Sequence, residues 1–134
     1  MIRLVSPTEV DGLWPYVSAG LQRAVDKGSA GDISTGDMWC EARSGRAFLL
    51  VDERDRIVGA SVWTPRKWGA ETVLFCLGMY SEKRDWLPDL RAMVWRIADD
   101  CGANALHFSS RRPWLPLLAG ERARLVTALY EVRR

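Results

Sequence analysis

The sequence has few of the residues on which disulfide frameworks and zinc sites depend. It contains three cysteines, Cys40, Cys76 and Cys101, which lie far apart with no CxxC pair. An odd number of separated cysteines is typical of free thiols in a reducing compartment. No apolar run reaches transmembrane length, and the opening segment MIRLVSPTEV lacks the apolar stretch of a secretion signal. These absences predict a cytosolic protein with no membrane partner.

Several catalytic signatures are also missing. The sequence has no GxSxG motif, no P-loop, no paired histidines and no acidic cluster of the kind that holds a metal. Its one histidine is His107. We therefore expect no metal site, and neither a P-loop nucleotidase nor a hydrolase with a nucleophile elbow.

The charge is nearly balanced, with 19 basic and 17 acidic residues and a net charge of +2. Only Lys27, Lys67 and Lys83 are lysines, and the arginine that makes up the rest favours bidentate contacts with carboxylates and phosphates. Arginines gather in the last 25 residues, but few aromatic side chains alternate with them. This pattern does not favour a nucleic-acid partner.

The composition fits one folded domain. The chain has 134 residues, of which 48% are hydrophobic and 27% charged, enough for a single core and too apolar for a disordered protein. We therefore expect one domain over residues 1–134. The seven tryptophans have two interpretations, because tryptophan both fills cores and anchors protein interfaces.

Hydrophobic periodicity predicts ten elements in alternating blocks. Ser6, Pro7 and Glu9 form a capping box before a helical stripe from Val10 to Val25, in which Pro15 should kink the helix or shift its start. The predicted elements are a strand at 2–5, that first helix, a helix from Ser34 to about Arg43, strands at 47–51, 57–64 and 71–79, a turn at 65–70, a helix from Asp85 to Cys101, a strand at 105–109, a short helix near 113–119 and a strand at 125–132. The fourth strand lacks alternation, so it should be covered on both faces, and the fifth should run parallel to it.

This order resembles the GNAT (Gcn5-related N-acetyltransferase) fold over nearly the whole chain. The stretches SPTEVDGLWPYV, EARSGRAFLLVDERDRIVGASVW and HFSSRRPWLPLL are more narrowly similar to the small GNAT-like proteins of tailed bacteriophages and prophages. The resemblance implies an α/β fold with a mixed sheet of about six strands and helices on both faces.

The resemblance also implies an acetyl-CoA site where the fourth strand parts from the fifth. Backbone groups there would bind the pantetheine arm, and the loop after Met79 would surround the pyrophosphate. The family's loop carries glycines, which let amides approach a phosphate closely, whereas this chain has YSEKRDWLP with Glu82 and Asp85 adding negative charge. The residues expected at the cofactor are Cys76, Leu77, Gly78, Met79, Ser81, Lys83 and Arg84.

Two interpretations of that loop are open. Lys83, Arg84 and the start of the following helix could still attract an anion. Alternatively, both cations are solvated loop charges, and Asp85 caps its own helix.

Catalysis in the family needs a base for the amine and an acid for the leaving thiolate. The candidates are Glu71 at the start of the fourth strand, His107 in the fifth, and Tyr80. His107 is alternatively a hydrogen-bonded structural residue, and Cys76 is expected to be inert in an apolar strand. The family's usual acid is a tyrosine on the last helix; residues 113–119 contain none, and Tyr130 is also not at the matching position.

A second class of function is binding. Tryptophan and arginine together are typical anchors of protein interfaces, and if the phage resemblance holds, the partner would be a virion or other phage-encoded protein. Two hypotheses remain open: a non-catalytic phage protein located in the host cytoplasm or on the virion, or an active acyl-CoA-dependent N-acyltransferase. The expected interface residues are Trp63, Trp68, Arg111, Arg112 and Trp114.

Overall fold

The structure is a computed structural model that describes residues 1–28, 33–83, 85–109, 124, 132 and 133. Its elements are β1 (Ile2–Val5), α1 (Val10–Gly28), α2 (Thr35–Arg43), β2 (Phe48–Glu53), β3 (Ile57–Trp68), β4 (Glu71–Ser81), α3 (Leu87–Cys101) and β5 (Ala105–His107). The first eight predicted helices and strands are confirmed. The predicted short helix at 113–119 and strand at 125–132 lie outside the described residues, apart from Val132.

The start of α1 follows the predicted capping signal. The carboxylate of Glu9 accepts hydrogen bonds from the backbone N–H of Ser6 at 3.4 Å and from its hydroxyl at 2.9 Å. A single 3-10 turn, Pro7–Glu9, leads into α1, which begins at Val10 and runs on through Pro15. Pro15 therefore does not shift the start of the helix.

The turn predicted at 65–70 is wrong, because β3 continues to Trp68 and only Gly69 and Ala70 turn the chain. Strand β2 begins at Phe48, which lies opposite Trp63. Toward Trp68, β4 is the only described strand beside β3, so a proline at position 65 need not donate a hydrogen bond to β2. Gly69, with φ of 64°, supplies the positive φ that a two-residue hairpin turn requires at its first central position.

The five described strands form one mixed sheet in the order β1-β2-β3-β4-β5. The first three pairs are antiparallel, and β5 is parallel to β4, with Val73 to Phe75 opposite Ala105 to His107. Helix α3 makes the crossover between these two strands, as the sequence predicted. A register shift places Val62 opposite Gly78 and Trp63 opposite Cys76, which makes Leu77 the extra residue of a β-bulge in β4.

Two hydrophobic clusters cover the two faces of the sheet. Helices α1 and α2 bury one face, and α3 buries the other. Strand β4 contributes to both clusters, as its continuous apolar sequence predicted. The first cluster includes Val17, Leu21, Met38, Val62 and Leu77; the second includes Leu50, Trp63, Leu74, Trp86 and Val94. Within the described part of the chain, no helix is both long and apolar enough to cross a membrane.

Candidate functional site

The sheet opens where β5 parts from β4. The last paired residues are Phe75 and His107, whereas β4 continues to Ser81. The other edge of β4 stays paired with β3 as far as Ser81, opposite Gly59. Among the described residues, none pairs with the β5-facing edge of β4 from Cys76 to Ser81. Unpaired strand edges present backbone donors and acceptors that an extended ligand can bind.

The bulge at Leu77 lies within this open stretch. Bulges bend a strand and change the direction of the neighbouring side chains. Gly78, next to Leu77, allows α2 to approach β4 closely: a Cβ at this position would lie 2.6 Å from Cε of Met38 and 2.9 Å from its Sδ. Gly78 therefore has a packing role, independent of any ligand.

The thiol of Cys76 is unsuited to nucleophilic attack. It lies on the α3 side of the sheet, and burial raises its pKa to about 12, against a smaller opposing effect of the Gly78 backbone amide. A thiol with so high a pKa is almost entirely protonated at neutral pH. The structural interpretation of Cys76 therefore fits its surroundings.

The backbone that follows β4 is largely occupied by internal hydrogen bonds. The amide of Glu82 donates to the carbonyl of Val58 at 2.9 Å, and the amide of Lys83 donates to the Ser81 hydroxyl at 3.1 Å. That hydroxyl in turn donates to the carbonyl of Lys83. Two amides at the position of the family's phosphate loop therefore already have partners.

The acidic side chains of this loop are also engaged. Oε2 of Glu82 lies 2.5 Å from Nη2 of Arg56, and Oδ1 of Asp85 lies 2.6 Å from Nη2 of Arg54. Hydrogen bonds from these arginines hold the pKa of each carboxyl below its ordinary value. The two ion pairs tie the loop after β4 to the turn between β2 and β3.

Asp85 does not cap α3 as expected, because its carboxylate binds Arg54. The residue at the cap position is Trp86, which makes no side-chain capping hydrogen bond and is 3% exposed within the α3-side core. Its carbonyl accepts the hydrogen bond of Leu90 N–H at 2.9 Å. Burial of the indole, rather than a polar cap, fixes the start of α3.

Arg54 is held from a second side by Asp52. Oδ2 of Asp52 lies 3.0 Å from Nη2 of Arg54, and the carboxylate is 1% exposed. Burial acts to raise the pKa of Asp52, but hydrogen bonds from Arg54 and from the amino group of Met1 outweigh it and bring the pKa below its ordinary value. The sequence DERDR predicted a charged turn, but no local pattern identified Asp85 and Glu82 as its partners.

His107 is the candidate catalytic residue nearest the opening. It is half-buried and is the last residue of β5, and its ring packs edge-on against Trp68, with centroids 4.9 Å apart and planes at 80°. Strand pairing puts both side chains on the face covered by α1 and α2. On the same face, the guanidinium of Arg66 stacks over Phe75 at 4.0 Å.

Glu71 and Tyr80 lie away from His107 in opposite directions along β4. Glu71 is four residues before Phe75 and Tyr80 five residues after it, or about 13 Å and 16 Å along the strand. The Tyr80 ring packs against Gly20 of α1, and its hydroxyl donates to the Tyr16 carbonyl at 3.5 Å. Burial, and to a lesser extent Glu82, raises its pKa. The structure does not bring the three predicted catalytic residues together.

The predicted interface residues divide into three groups. Trp63 is 4% exposed and donates its indole N–H to Ser61 at 2.9 Å, so it is a core residue and its prediction as an interface residue is wrong. Trp68 is 46% exposed. Arg111, Arg112 and Trp114, like Arg84 of the predicted cofactor site, lie outside the described residues.

A groove of about 430 Å³ lies elsewhere, between the start of β1 and α3, and none of the predicted site residues lines it. In the described ranges there is no group of three or more His, Cys, Asp or Glu side chains that could hold a metal ion.

No protein-family model and no curated protein matches the sequence, but solved acetyltransferase structures match the fold. An aminoglycoside acetyltransferase from an uncultured soil metagenomic sample superposes with a TM-score of 0.70 at 13% identity, over 100% of this chain and 97% of its own. Ribosomal-protein-alanine N-acetyltransferase from Brucella melitensis biovar Abortus 2308 gives 0.65 at 14%, over 100% and 99%. A predicted acetyltransferase from Clostridium acetobutylicum, solved with acetyl-CoA, gives 0.69 at 10%, over 99% and 95%.

These similarities establish the fold. The chain has the mixed α/β fold of GNAT-type acetyltransferases, with a five-stranded mixed sheet in its described part. At such low identity, function depends on the site rather than on the fold.

Proposed function

We propose that this chain binds an acyl thioester in the opening between β4 and β5 and transfers the acyl group to an amine. The observation that carries the proposal is the β5-facing edge of β4, which has no described strand partner from Cys76 to Ser81 and begins beside His107. The pantetheine arm of acetyl-CoA carries amide groups that can pair with such an edge as a strand does. One structural neighbour contains acetyl-CoA, which supports this class of donor.

The reaction is balanced without a further reactant. The amine nitrogen forms a bond to the thioester carbonyl carbon, the C–S bond breaks, and the proton lost by the amine ends on the released thiol. The residues of this chain would align the two reactants, which is a large part of catalysis in such transfers.

His107 is the described side chain best placed to accept the proton of the amine. It lies where the strands part, and Trp68 limits the orientations of its ring. An imidazole takes up and releases protons near neutral pH, which suits a general base. Glu71 and Tyr80 lie about 13 Å and 16 Å along β4 from the residue opposite His107, so neither shares its place where the strands part.

Calorimetry and an acyl-transfer assay test the proposal together. We expect acetyl-CoA to bind the chain, and a panel of small amines and peptide N-termini to include an acceptor. We expect His107→Gln to retain donor binding and lose most of the transfer. Absence of both donor binding and transfer would exclude the proposed activity.

A second candidate is a non-catalytic GNAT-like protein of a bacteriophage, acting through protein contacts as a virion or accessory component. The ion-paired, glycine-free loop after β4 favours this candidate, and the exposed indole of Trp68 would supply an anchor. It predicts that acetyl-CoA at 1 mM leaves the thermal midpoint of the protein unchanged. An upward shift of several degrees would exclude it in favour of the first proposal.

A further inference from the structure

Resting on the proposed function, we infer that the donor is recognised through its acyl-pantetheine arm and not through a nucleotide diphosphate. The substrate class is therefore acyl thioesters of pantetheine, whether free or attached through a phosphate to a carrier protein. Three features of the loop after β4 lead to this inference.

The first feature is the state of the backbone. A diphosphate bound by a loop needs several amides that point at it and are not otherwise bonded. Here the amide of Glu82 is bonded to the carbonyl of Val58, and that of Lys83 to the Ser81 hydroxyl, at 2.9 and 3.1 Å. A diphosphate bound by these two amides would have to displace both internal partners.

The second feature is the local charge. The cluster of Asp52, Arg54, Arg56, Glu82 and Asp85, with the amino group of Met1, contains three carboxylates and three cations, joined by four ion pairs of 2.5 to 3.1 Å. Lys83 is exposed, and its charge acts on both Glu82 and Asp85. A dianionic or more highly charged group placed here would face carboxylates whose countercharges are already shared.

The third feature is the anchoring of Arg54. Arg54 binds Asp52, whose carboxylate is 1% exposed, through Nε and Nη2, and it binds Asp85 through Nη1 and Nη2, so a phosphate could contact it only by displacing one of these carboxylates. A buried carboxylate that loses a partner is strongly unfavourable. Arg56 is held only by Glu82 among the described acidic residues and is 65% exposed, but moving it would free the Glu82 carboxylate beside the incoming anion.

The open edge of β4 lacks the charged cluster and the anchored arginine, although its Gly78 amide is bonded to the Cys76 thiol. Its backbone from Cys76 to Ser81 pairs with no described strand on the β5-facing side, and none of the residues from Cys76 to Ser81 carries a charged side chain. The amides of a pantetheine arm could therefore bind there whether or not a diphosphate follows.

Calorimetry of the full chain with S-acetyl-pantetheine and with acetyl-CoA tests the inference. We expect dissociation constants within threefold of each other, and little change for acetyl-CoA between 50 and 300 mM NaCl. Acetyl-CoA binding at least tenfold tighter, with an affinity that falls as salt is added, would overturn the inference and leave the proposed function intact. Failure of both compounds to bind would overturn both the inference and the proposed function.

A third titration, with a carrier protein bearing acetyl-phosphopantetheine, distinguishes the two sources of the arm. Tighter binding than that of S-acetyl-pantetheine supports a carrier-borne donor, and equal or weaker binding supports a free one.

A variant pair makes the same distinction by charge. Asp85→Asn removes a carboxylate beside the expected diphosphate position, and Asp100→Asn makes the same change at the other end of α3. We expect Asp85→Asn to tighten acetyl-CoA binding at least threefold and to leave S-acetyl-pantetheine binding unchanged, with no effect of Asp100→Asn on either. Weaker acetyl-CoA binding in Asp85→Asn would contradict the inference.

Discussion

Arg54 and Asp85 are 31 positions apart in the sequence and are joined by two parallel hydrogen bonds, of 2.6 and 3.3 Å. A guanidinium and a carboxylate paired in this way fix each other's orientation as well as their distance. The pair connects the β2–β3 turn to the start of α3. The position of the loop after β4 therefore depends on a side chain of that turn.

The Arg54–Asp85 pair predicts a pH-dependent contribution to stability. The pKa of Asp85 is lowered from 3.8 in the folded protein, first by the hydrogen bond from Arg54. A lowered folded pKa means that the contribution is complete above the unfolded pKa and is lost as the pH falls through the folded pKa. We expect Asp85→Asn to lower the free energy of unfolding at pH 6 and the difference from wild type to shrink at pH 3. Urea unfolding at both values measures this, and a difference that grows on acidification would contradict it.

Two glycines of α1 predict opposite effects of the same substitution. A Cβ at Gly20 would lie 2.3 Å from the Tyr80 ring, whereas a Cβ at Gly12 meets nothing within 4 Å. Alanine is favoured over glycine inside a helix by about 1 kcal/mol, but overpacking costs about 1–3 kcal/mol. We expect Gly12→Ala to raise the free energy of unfolding and Gly20→Ala to lower it. Equal effects of the two variants would show that Tyr80 does not occupy the space beside Gly20.

The three cysteines should differ in reactivity. Cys40 is exposed, whereas burial raises the pKa of Cys76 to about 12. At pH 8, the Cys76 side chain would then be almost entirely the unreactive thiol. In variants that retain a single cysteine, we expect a disulfide reagent to label Cys40 much faster than Cys76 in the folded protein. Rapid labelling of folded Cys76 would contradict the described packing and reopen a catalytic role for it.

If His107 is the general base, its substitution should lower the rate of acyl transfer and leave donor binding nearly unchanged. Loss of a general base commonly lowers kcat by about 10²–10⁴-fold. We expect His107→Gln to lower kcat in that range while the dissociation constant of the donor stays within threefold, because the donor binds the backbone of β4. An unchanged kcat would exclude His107 as the base.

Local sequence patterns predicted much of the fold. The capping box at Ser6 and Glu9 and the apolar stripe of α1 are local signals, and each is present in the structure. The turn expected at Pro65 is wrong because the effect of a proline depends on whether a neighbouring strand needs its N–H. That in turn depends on where β2 begins, at Phe48 opposite Trp63, which is a matter of tertiary structure.

The site was harder to predict because its contacts join residues that are distant in the sequence. The sequence identified the glycine-free loop and its acidic residues but not their partners, since Arg54 and Arg56 approach Asp85 and Glu82 only through strand pairing. Asp85 was expected to cap a helix, a local role that the Arg54 ion pair displaced. Trp63 and Trp86 showed no periodic signal distinguishing core from surface, and both are buried.

The binding of the donor along the open edge of β4 can be tested directly by mapping amide chemical shifts in ¹⁵N-labelled protein during titration with S-acetyl-pantetheine. We predict that the largest changes fall on Cys76 to Ser81 and on His107, with smaller changes across β3. Saturable changes confined to other residues, such as Met93 and Arg96 in the groove beside β1, would contradict binding at this edge, as would the absence of any change at millimolar ligand.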